Sequence, residues 1–140
     1  MGNGAGKKRI LIVDDEGSFA RMVKLYLEKS GQFEVRVENK PTCALSAARD
    51  FKPDLILLDV IMPKMGGFEA CRLIRENEIT QSIRVIMVTR RGEGANVEAG
   101  WANGCTDYVT KPINAVELLA KVRSILETAV SVPMLAEVQQ

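Results

Sequence analysis

The sequence contains no histidine among its 140 residues and only three cysteines. The absence of histidine excludes the Ser-His-Asp and Cys-His forms of nucleophilic catalysis, and it excludes most zinc sites. The cysteines, Cys43, Cys71 and Cys105, are odd in number and lie far apart in the sequence. Because they lack the spacing of metal ligands, we interpret them as reduced thiols of a cytoplasmic protein.

The sequence also lacks a long apolar run and a large net charge. No run approaches the roughly 20 apolar residues that span a bilayer, and the start of the chain, MGNGAGKKR, lacks the apolar stretch of a secretion signal. The formal net charge is +1, so the overall charge does not indicate binding to nucleic acid or to an anionic membrane. We therefore expect a cytoplasmic protein that contacts neither of them.

The length and the ends of the chain indicate one domain with short tails. A chain of 140 residues fits a single domain with one sizeable core. The start is rich in glycine, but a phosphate-binding loop requires a glycine five residues before its Gly-Lys pair, where Met1 stands. We predict a flexible tail at residues 1–8, a domain at residues 9–128, and a C-terminal tail or the start of a linker at residues 129–140.

From residue 9 onward, apolar runs of strand length alternate with helical patterns. The five predicted strands are 10–13, 33–37, 54–59, 85–88 and 107–109. Apolar residues between them recur at helical spacing, and they predict helices around residues 19–27, 44–51, 68–74, 93–103 and 118–126. Gly94 and Gly100 weaken the fourth of these helices. The alternation predicts an α/β fold with a parallel sheet.

Carboxylates follow two of the predicted strands. Asp14 and Asp15 come directly after the first strand, and Asp59 ends the third. Right-handed crossovers place the carboxyl ends of parallel strands on one edge, and strands one and three are neighbours in a sheet of order 2-1-3-4-5. Two unit charges about 4 Å apart repel by roughly 4 kcal/mol at an effective dielectric of about 20. Either one carboxylate is protonated, or the cluster binds a hard cation, and oxygen ligands suit Mg²⁺.

Two further polar residues end the later strands. Thr89 follows the fourth strand, and Lys111 follows the fifth and precedes Pro112. Taken singly, Thr89 is an ordinary β-branched residue, Lys111 is a solvated charge, and the acidic pair caps a helix. Taken together, three carboxylates, a hydroxyl and an ammonium are suited to phosphoryl transfer onto a carboxylate.

Four segments resemble the receiver domains of two-component response regulators, namely LIVDDE, LILLDVIMPKMGG, VIMVT and GCTDYVTKP, and the resemblance spans about residues 9 to 127. It implies a flavodoxin-like α/β fold, with a five-stranded parallel sheet of order 2-1-3-4-5 and five helices on both faces. It also implies a switch that accepts a phosphoryl group from a sensor histidine kinase, a phosphotransfer protein or a small phosphodonor. Such a switch assists its own phosphorylation and dephosphorylation but is not an enzyme for outside substrates.

The resemblance assigns the acidic residues to the phosphorylation chemistry. Asp59 corresponds to the phosphoacceptor of the family. Asp14 and Asp15 correspond to the acid pair that holds Mg²⁺, or Mn²⁺ in its place. Asp59 and the backbone carbonyl of Ile61 are implied to complete the protein ligands of that ion.

The resemblance assigns the remaining residues to switching. Thr89 corresponds to the hydroxyl that moves towards the phosphoryl group, and Tyr108 corresponds to the aromatic ring that then swings inward. Lys111 corresponds to the lysine that pairs with the phosphoryl oxygens, and the bond between Lys111 and Pro112 is implied to be cis. The signalling surface of the family comprises the fourth helix, the fifth strand and the fifth helix, and a homodimer through this surface is a further expectation.

Several residues depart from the usual pattern of the family. Arg90 follows Thr89 where a small residue is usual, and we hypothesise that it narrows access to the site and alters the rates of phosphorylation or hydrolysis. An arginine that points into solvent is the alternative. The Ile61 side chain cannot hydrogen-bond an attacking water, which predicts a longer-lived aspartyl phosphate than in relatives with a polar side chain at this position. Gly66 and Gly67 stand where Asp-Gly is common, and they are expected to change the entry to the third helix.

Three other functions fit parts of the sequence. A phosphorylation-independent interaction module on the same fold would lack an acid or the lysine, and neither is missing. A Mg²⁺-dependent phosphohydrolase usually carries an aspartate two residues past its nucleophile, where Ile61 stands. A flavodoxin-like cofactor binder is disfavoured because an acidic edge without metal repels a phosphate. If the chain is a phosphorylation-dependent switch, its downstream partner is either a separate protein or an output domain fused to the receiver.

Overall fold

The computed structural model describes residues 6–90 and 102–127. Within these ranges the chain forms five strands, four α-helices and a short 3₁₀ helix. Their order is β1 (Lys8–Val13), α1 (Gly17–Lys29), β2 (Phe33–Glu38), the 3₁₀ helix (Pro41–Cys43), α2 (Ala44–Phe51), β3 (Leu55–Asp59), α3 (Gly67–Glu76), β4 (Arg84–Arg90), β5 (Asp107–Lys111) and α4 (Ala115–Glu127).

The strands form one parallel sheet in the order β2-β1-β3-β4-β5. This confirms the predicted α/β class and the predicted strand order. The last helix, α4, is the fifth helix of the sequence prediction. The predicted helix at 93–103 lies outside the described residues except for its last two positions, and the predicted tail at 129–140 lies outside them entirely.

The hydrophobic core lies on both faces of the sheet because successive side chains of a strand point to opposite sides. All five residues of β3 are buried. Leu11 and Leu58 pack with α2 and α3 on one face, whereas Ile12 and Leu57 pack with α1 and α4 on the other. Each fully buried aliphatic side chain contributes roughly 1.5–3 kcal/mol through removal from water. The continuously apolar strands therefore lie at the centre of the sheet, as their sequences predict.

The register of the sheet places the carboxyl ends of four strands side by side. Val13 at the end of β1 pairs with Leu58, so Asp14 lies next to the end of β3. Asp59 pairs with Val88 of β4, and Arg90 at the end of β4 pairs with Lys111 at the end of β5. The polar residues that end the strands therefore meet at one edge.

Helix α3 begins in close contact with the end of β3. The backbone N–H of Gly67 donates to the carbonyl of Val60 at 2.8 Å. A Cβ atom at Gly67 would overlap the backbone carbonyl of Asp59, whereas a Cβ atom at Gly66 would lie 3.4 Å from the nearest atom, the carbonyl oxygen of Val60. Glycine is therefore required at position 67 because the backbone of α3 lies directly against the residue that ends β3.

The cysteines of the described residues are free thiols. Cys71 donates to the backbone carbonyl of Asn103 at 3.2 Å. Burial raises the pKa of Cys71 to about 11 and the pKa of Cys105 to about 12. Both groups therefore stay protonated at neutral pH and act as small core residues.

Candidate functional site

Three carboxylates converge at the carboxyl edge of the sheet. One oxygen each of Asp14, Asp15 and Asp59 lies within 4.8 Å of the others. Asp14 and Asp59 are 1% and 2% exposed, and they are two of the few buried polar residues of the described chain. Asp15 is exposed. The sequence prediction that these acids lie together is therefore met by the geometry.

The backbone around Asp14 is fixed by neighbouring strand ends. Its N–H donates to the carbonyl of Glu38 at 3.1 Å, and the side-chain amide of Asn39 donates to its backbone carbonyl at 2.9 Å. The N–H of Glu16 donates to Oδ1 of Asp14 at 2.8 Å. These bonds hold one carboxylate oxygen against the backbone and leave Oδ2 directed at Lys111.

Lys111 places its ammonium group among several anions and one aromatic ring. Its Nζ atom lies 3.2 Å from Oδ2 of Asp14, 3.3 Å from Oε1 of Glu16 and 3.8 Å from Oδ1 of Asp59. It also lies 4.2 Å from the centroid of the Phe19 ring, a cation–π distance. The Lys111 side chain is only 10% exposed, so it is a site residue rather than a solvated charge.

The electrostatics of the cluster favour an additional cation. Burial raises the pKa of Asp59 from its ordinary value of 3.8 to about 6, the charges of Asp14 and Asp15 add to the rise, and Lys111 and Arg90 oppose it. Burial tends to lower the pKa of Lys111, but Asp14 and Asp59 outweigh that effect and the pKa is raised. Oxygen-only ligands with one exposed member suit Mg²⁺, which retains several waters when it binds to proteins.

The residues predicted to act in switching lie on β4 and β5. Thr89 is 6% exposed, and its hydroxyl donates to the backbone carbonyl of Val109 at 3.5 Å. Tyr108 is 37% exposed. The peptide bond between Lys111 and Pro112 is cis, which is the geometry that the resemblance implies. The movements predicted for Thr89 and Tyr108 stay predictions.

Two of the residues that depart from the family pattern, Arg90 and Ile61, lie at the surface. Arg90 is exposed, and its charge still lowers the pKa of Asp59, so it acts on the site electrostatically. Ile61 is 53% exposed, two residues beyond Asp59. The access role of Arg90 and the ligand role of the Ile61 carbonyl both stay predictions.

Three residues that hold the site together were not predicted from the sequence. Glu16 and Phe19 contact Lys111 from the start of α1, and Asn39 supports Asp14. Gly67 was predicted to affect the entry to the third helix, and in the structure it admits α3 to the end of β3. Asn39 carried a usable signal, because it follows β2 as Asp14 follows β1. The spacing of three between Glu16 and Phe19 places them on one side of a helix start, but it does not reveal what they contact.

Comparisons with known proteins point to one family. The sequence matches the family described as "Response regulator receiver domain" over residues 10–123. It is 38% identical over 120 residues to the DNA-binding response regulator MtrA of Mycobacterium tuberculosis, and the aligned region covers 86% of this chain and 51% of MtrA. It is 40% identical over 119 residues to the phosphate regulon transcriptional regulatory protein PhoB of Pseudomonas aeruginosa, and the aligned region covers 85% of this chain and 52% of PhoB.

The chain spans about half the length of the curated relatives it matches. Among solved structures, the chemotaxis protein CheY4 of Vibrio cholerae aligns with a TM-score of 0.79 at 30% identity, and the match covers 84% of this chain and 98% of that chain. Among the described residues, no helix combines the length and the apolar character that crossing a membrane requires.

Proposed function

We propose a residue-level function from the premise that this chain belongs to the response regulator receiver domain family. Receiver domains are phosphorylation-dependent switches of two-component systems, and they generally bind Mg²⁺. The chain is accordingly a signalling switch.

Asp59 is the proposed phosphoacceptor. This assignment is supported by the position of the Asp59 carboxylate. It is 2% exposed, it converges with Asp14 and Asp15, and it lies 3.8 Å from the ammonium of Lys111. A carboxylate oxygen of Asp59 attacks the phosphorus atom and forms the new P–O bond. The bond from phosphorus to the leaving atom of the donor breaks, and that atom departs with the electron pair. The leaving atom is a nitrogen of a phosphohistidine or an oxygen of acetyl phosphate.

Asp14, Asp15, Asp59 and the backbone carbonyl of Ile61 are the proposed ligands of Mg²⁺, or of Mn²⁺ in its place. The oxygen-only donor set supports this assignment. The pKa of Asp59 supports it too, since it is raised first by burial and then by the charges of Asp14 and Asp15. The ion supplies positive charge to oxygens that become more negative during transfer. The protein contributes by fixing Asp14 through backbone hydrogen bonds before any ligand binds.

Lys111, Thr89 and Tyr108 are proposed to read the phosphorylation state. Lys111 pairs with a phosphoryl oxygen, and the Thr89 hydroxyl exchanges its bond to Val109 for a second phosphoryl oxygen. Tyr108 then moves from its partly exposed position into the space that Thr89 leaves. Phosphorylation thereby shifts an equilibrium between two arrangements of β4 and β5.

The partners, the domain boundaries and the cellular location of the protein are also proposals. We propose that a sensor histidine kinase or a phosphotransfer protein supplies the phosphoryl group. A separate protein or a fused output domain then responds, and a homodimer forms through the face that contains β5 and α4. The proposed receiver domain spans residues 9–128. It acts in the cytoplasm, and it turns over no outside substrate.

Labelling with acetyl phosphate tests the proposed function. The wild-type chain is expected to gain about 80 Da, the mass of one phosphoryl group, and only when Mg²⁺ is present. Asp59→Ala should abolish the gain. Asp50→Asn is the matched control because Asp50 is an exposed acid of α2 that pairs with Arg36. It precedes Phe51, whose carbonyl accepts from Arg9 near the start of β1, at the opposite end of the strand from Asp14, so this variant should label normally. Labelling of Asp59→Ala would refute the assignment, and an unlabelled wild type would favour the phosphorylation-independent interaction module.

A further inference from the structure

Lys111 contacts a carboxylate that has no part in the proposed metal site. Among the described residues, its ion contacts are to Asp14, Glu16 and Asp59. Asp14 and Asp59 belong to the acidic cluster of the proposed Mg²⁺ site, whereas Glu16 does not. If a divalent cation binds to that cluster, Asp14 and Asp59 share their negative charge with the cation. The charge of Glu16 is not shared, so Glu16 still attracts the ammonium group of Lys111.

The geometry of the Glu16 contact is set by the start of α1. Glu16 is the residue before the first turn, and its side chain caps no backbone N–H of the helix. Phe19 lies three residues later, so both residues approach Lys111 from the same side of the helix start. The Glu16 side chain is 52% exposed while that of Lys111 is 10% exposed. Glu16 therefore holds the lysine from the solvent side of the site.

We propose that Glu16 is a positioning residue that restrains Lys111 away from Asp59 and so slows phosphorylation of this chain. The inference rests on the proposed function of Asp59. Nζ of Lys111 is 3.3 Å from Glu16 and 3.8 Å from Asp59, so Glu16 competes with a phosphoryl oxygen on Asp59 for the same ammonium group. An ion pair with one exposed partner, as Glu16 is here, is worth up to about 1 kcal/mol, which converts to a rate effect of about two- to fivefold.

Two substitutions separate the contact from the charge of Glu16. Glu16→Gln removes the charge and keeps the length of the side chain. Glu16→Asp keeps the charge but shortens the side chain by one methylene, so it weakens the contact with Lys111. Glu69→Gln is the matched control because Glu69 is also an exposed acid at the start of a helix, α3. The side chain of Glu16 is half exposed and caps nothing, so both variants are expected to fold.

The experiment measures the rate of labelling by acetyl phosphate with saturating Mg²⁺. In this step the Asp59–phosphorus bond forms, the phosphorus–oxygen bond to acetate breaks, and acetate leaves with the electron pair. Glu16→Gln and Glu16→Asp should both label about two- to fivefold faster than wild type. Glu69→Gln should label at the wild-type rate. The Nζ resonance of Lys111 in NMR spectra should shift in both Glu16 variants and not in Glu69→Gln.

The outcomes distinguish the two proposals. A wild type that is not labelled at Asp59 would refute the proposed function itself. A labelled wild type with Glu16→Gln at the same rate would refute the role of Glu16 alone. If Glu16→Gln were faster but Glu16→Asp matched wild type with an unmoved Lys111 resonance, the charge of Glu16 would act on the anionic donor directly, and the positioning role would be overturned.

Discussion

A single buried acid, Asp59, makes the folded state sensitive to pH. Its pKa rises from 3.8 to about 6, mainly through burial and then through Asp14. Because the raised pKa belongs to the folded state, the folded chain binds more protons than the unfolded chain between these two values. Protonated Asp59 therefore contributes to the free energy of unfolding in full below about pH 4, and this contribution is lost as the pH rises through about 6. At neutral pH without a cation, Asp59 therefore destabilises the fold.

Replacing this acid by its neutral isostere should stabilise the protein at neutral pH. Asp59→Asn is expected to raise the free energy of unfolding at pH 7 by up to about 3 kcal/mol in buffer without divalent cations. The gain should shrink as the pH falls and approach zero near about pH 3, below the ordinary pKa of 3.8, where the wild-type acid is protonated in both states. Urea unfolding at both pH values measures this difference. Asp50→Asn on α2 is the control. If Asp59→Asn were no more stable than wild type at pH 7, ionised Asp59 would not destabilise the fold.

The residue two positions after Asp59 bears on the lifetime of the phosphorylated form. Ile61 is 53% exposed and offers no hydrogen bond from its side chain to an attacking water. Ile61→Asn should accelerate loss of the phosphoryl group about fivefold, since a hydrogen bond worth about 1 kcal/mol in the transition state gives that factor. Phosphate release after removal of the donor measures the rate. Ile79→Asn, at an isoleucine that is 54% exposed, should leave the rate unchanged.

At the scale of elements, the approach of α3 to β3 depends on one glycine. Gly67→Ala would insert a methyl group into the backbone of Asp59 and Val60. We expect a loss of about 1–3 kcal/mol in the free energy of unfolding, as for other overpacked sites. Because the displaced backbone belongs to Asp59, labelling by acetyl phosphate should fall as well. Urea unfolding and labelling of the same preparation provide both measurements.

The neighbouring glycine supplies the control for this prediction. Gly66 has φ −75° and ψ 166°, which any residue adopts, and a Cβ atom there would make its nearest contact at 3.4 Å. Gly66→Ala should therefore change the free energy of unfolding by less than about 1 kcal/mol and leave labelling intact. Equal losses for the two variants would contradict the role of the contact with β3. Helix propensity could not explain them, because alanine is a better helix former than glycine.

Strand boundaries show where sequence patterns stop being informative. The predicted strand 10–13 begins at Lys8 in the structure, where Lys8 and Arg9 pair with Phe33 and Glu34 of β2. The predicted strand 107–109 extends to Lys111, and none of its residues is fully buried. Polar side chains are tolerated at sheet ends and on edge strands, so the apolar run marks only the buried part of each strand. The interior of each strand was predictable for the same reason.

At the scale of the molecule, topology explains why the acidic cluster was predictable and its supports were not. Parallel strands and right-handed crossovers bring Asp14 and Asp59 to one edge, whatever the detailed packing. The contact of Glu16 with Lys111 joins residues 95 positions apart. It depends on where α1 begins relative to β5, which no local pattern encodes. The site was therefore predictable as a set of strand ends, and its fine geometry required the packed structure.

Because the site joins β1, β3 and β5, a bound cation should stabilise the whole sheet. Mg²⁺ at about one hundred times its Kd stabilises a folded protein by about 2.7 kcal/mol, a rise of roughly 10 °C in Tm. Asp15→Asn should remove most of this rise in Tm, because it removes one of the three carboxylates that converge at the site. Asp15 is the exposed member of the three, so its replacement should leave the fold intact. Thermal unfolding with MgCl₂, and with NaCl at matched ionic strength, measures the effect, and Glu69→Gln should retain it. An equal rise in Asp15→Asn would mean that the ion binds elsewhere, because removing one of three converging carboxylates must weaken a site built from all three.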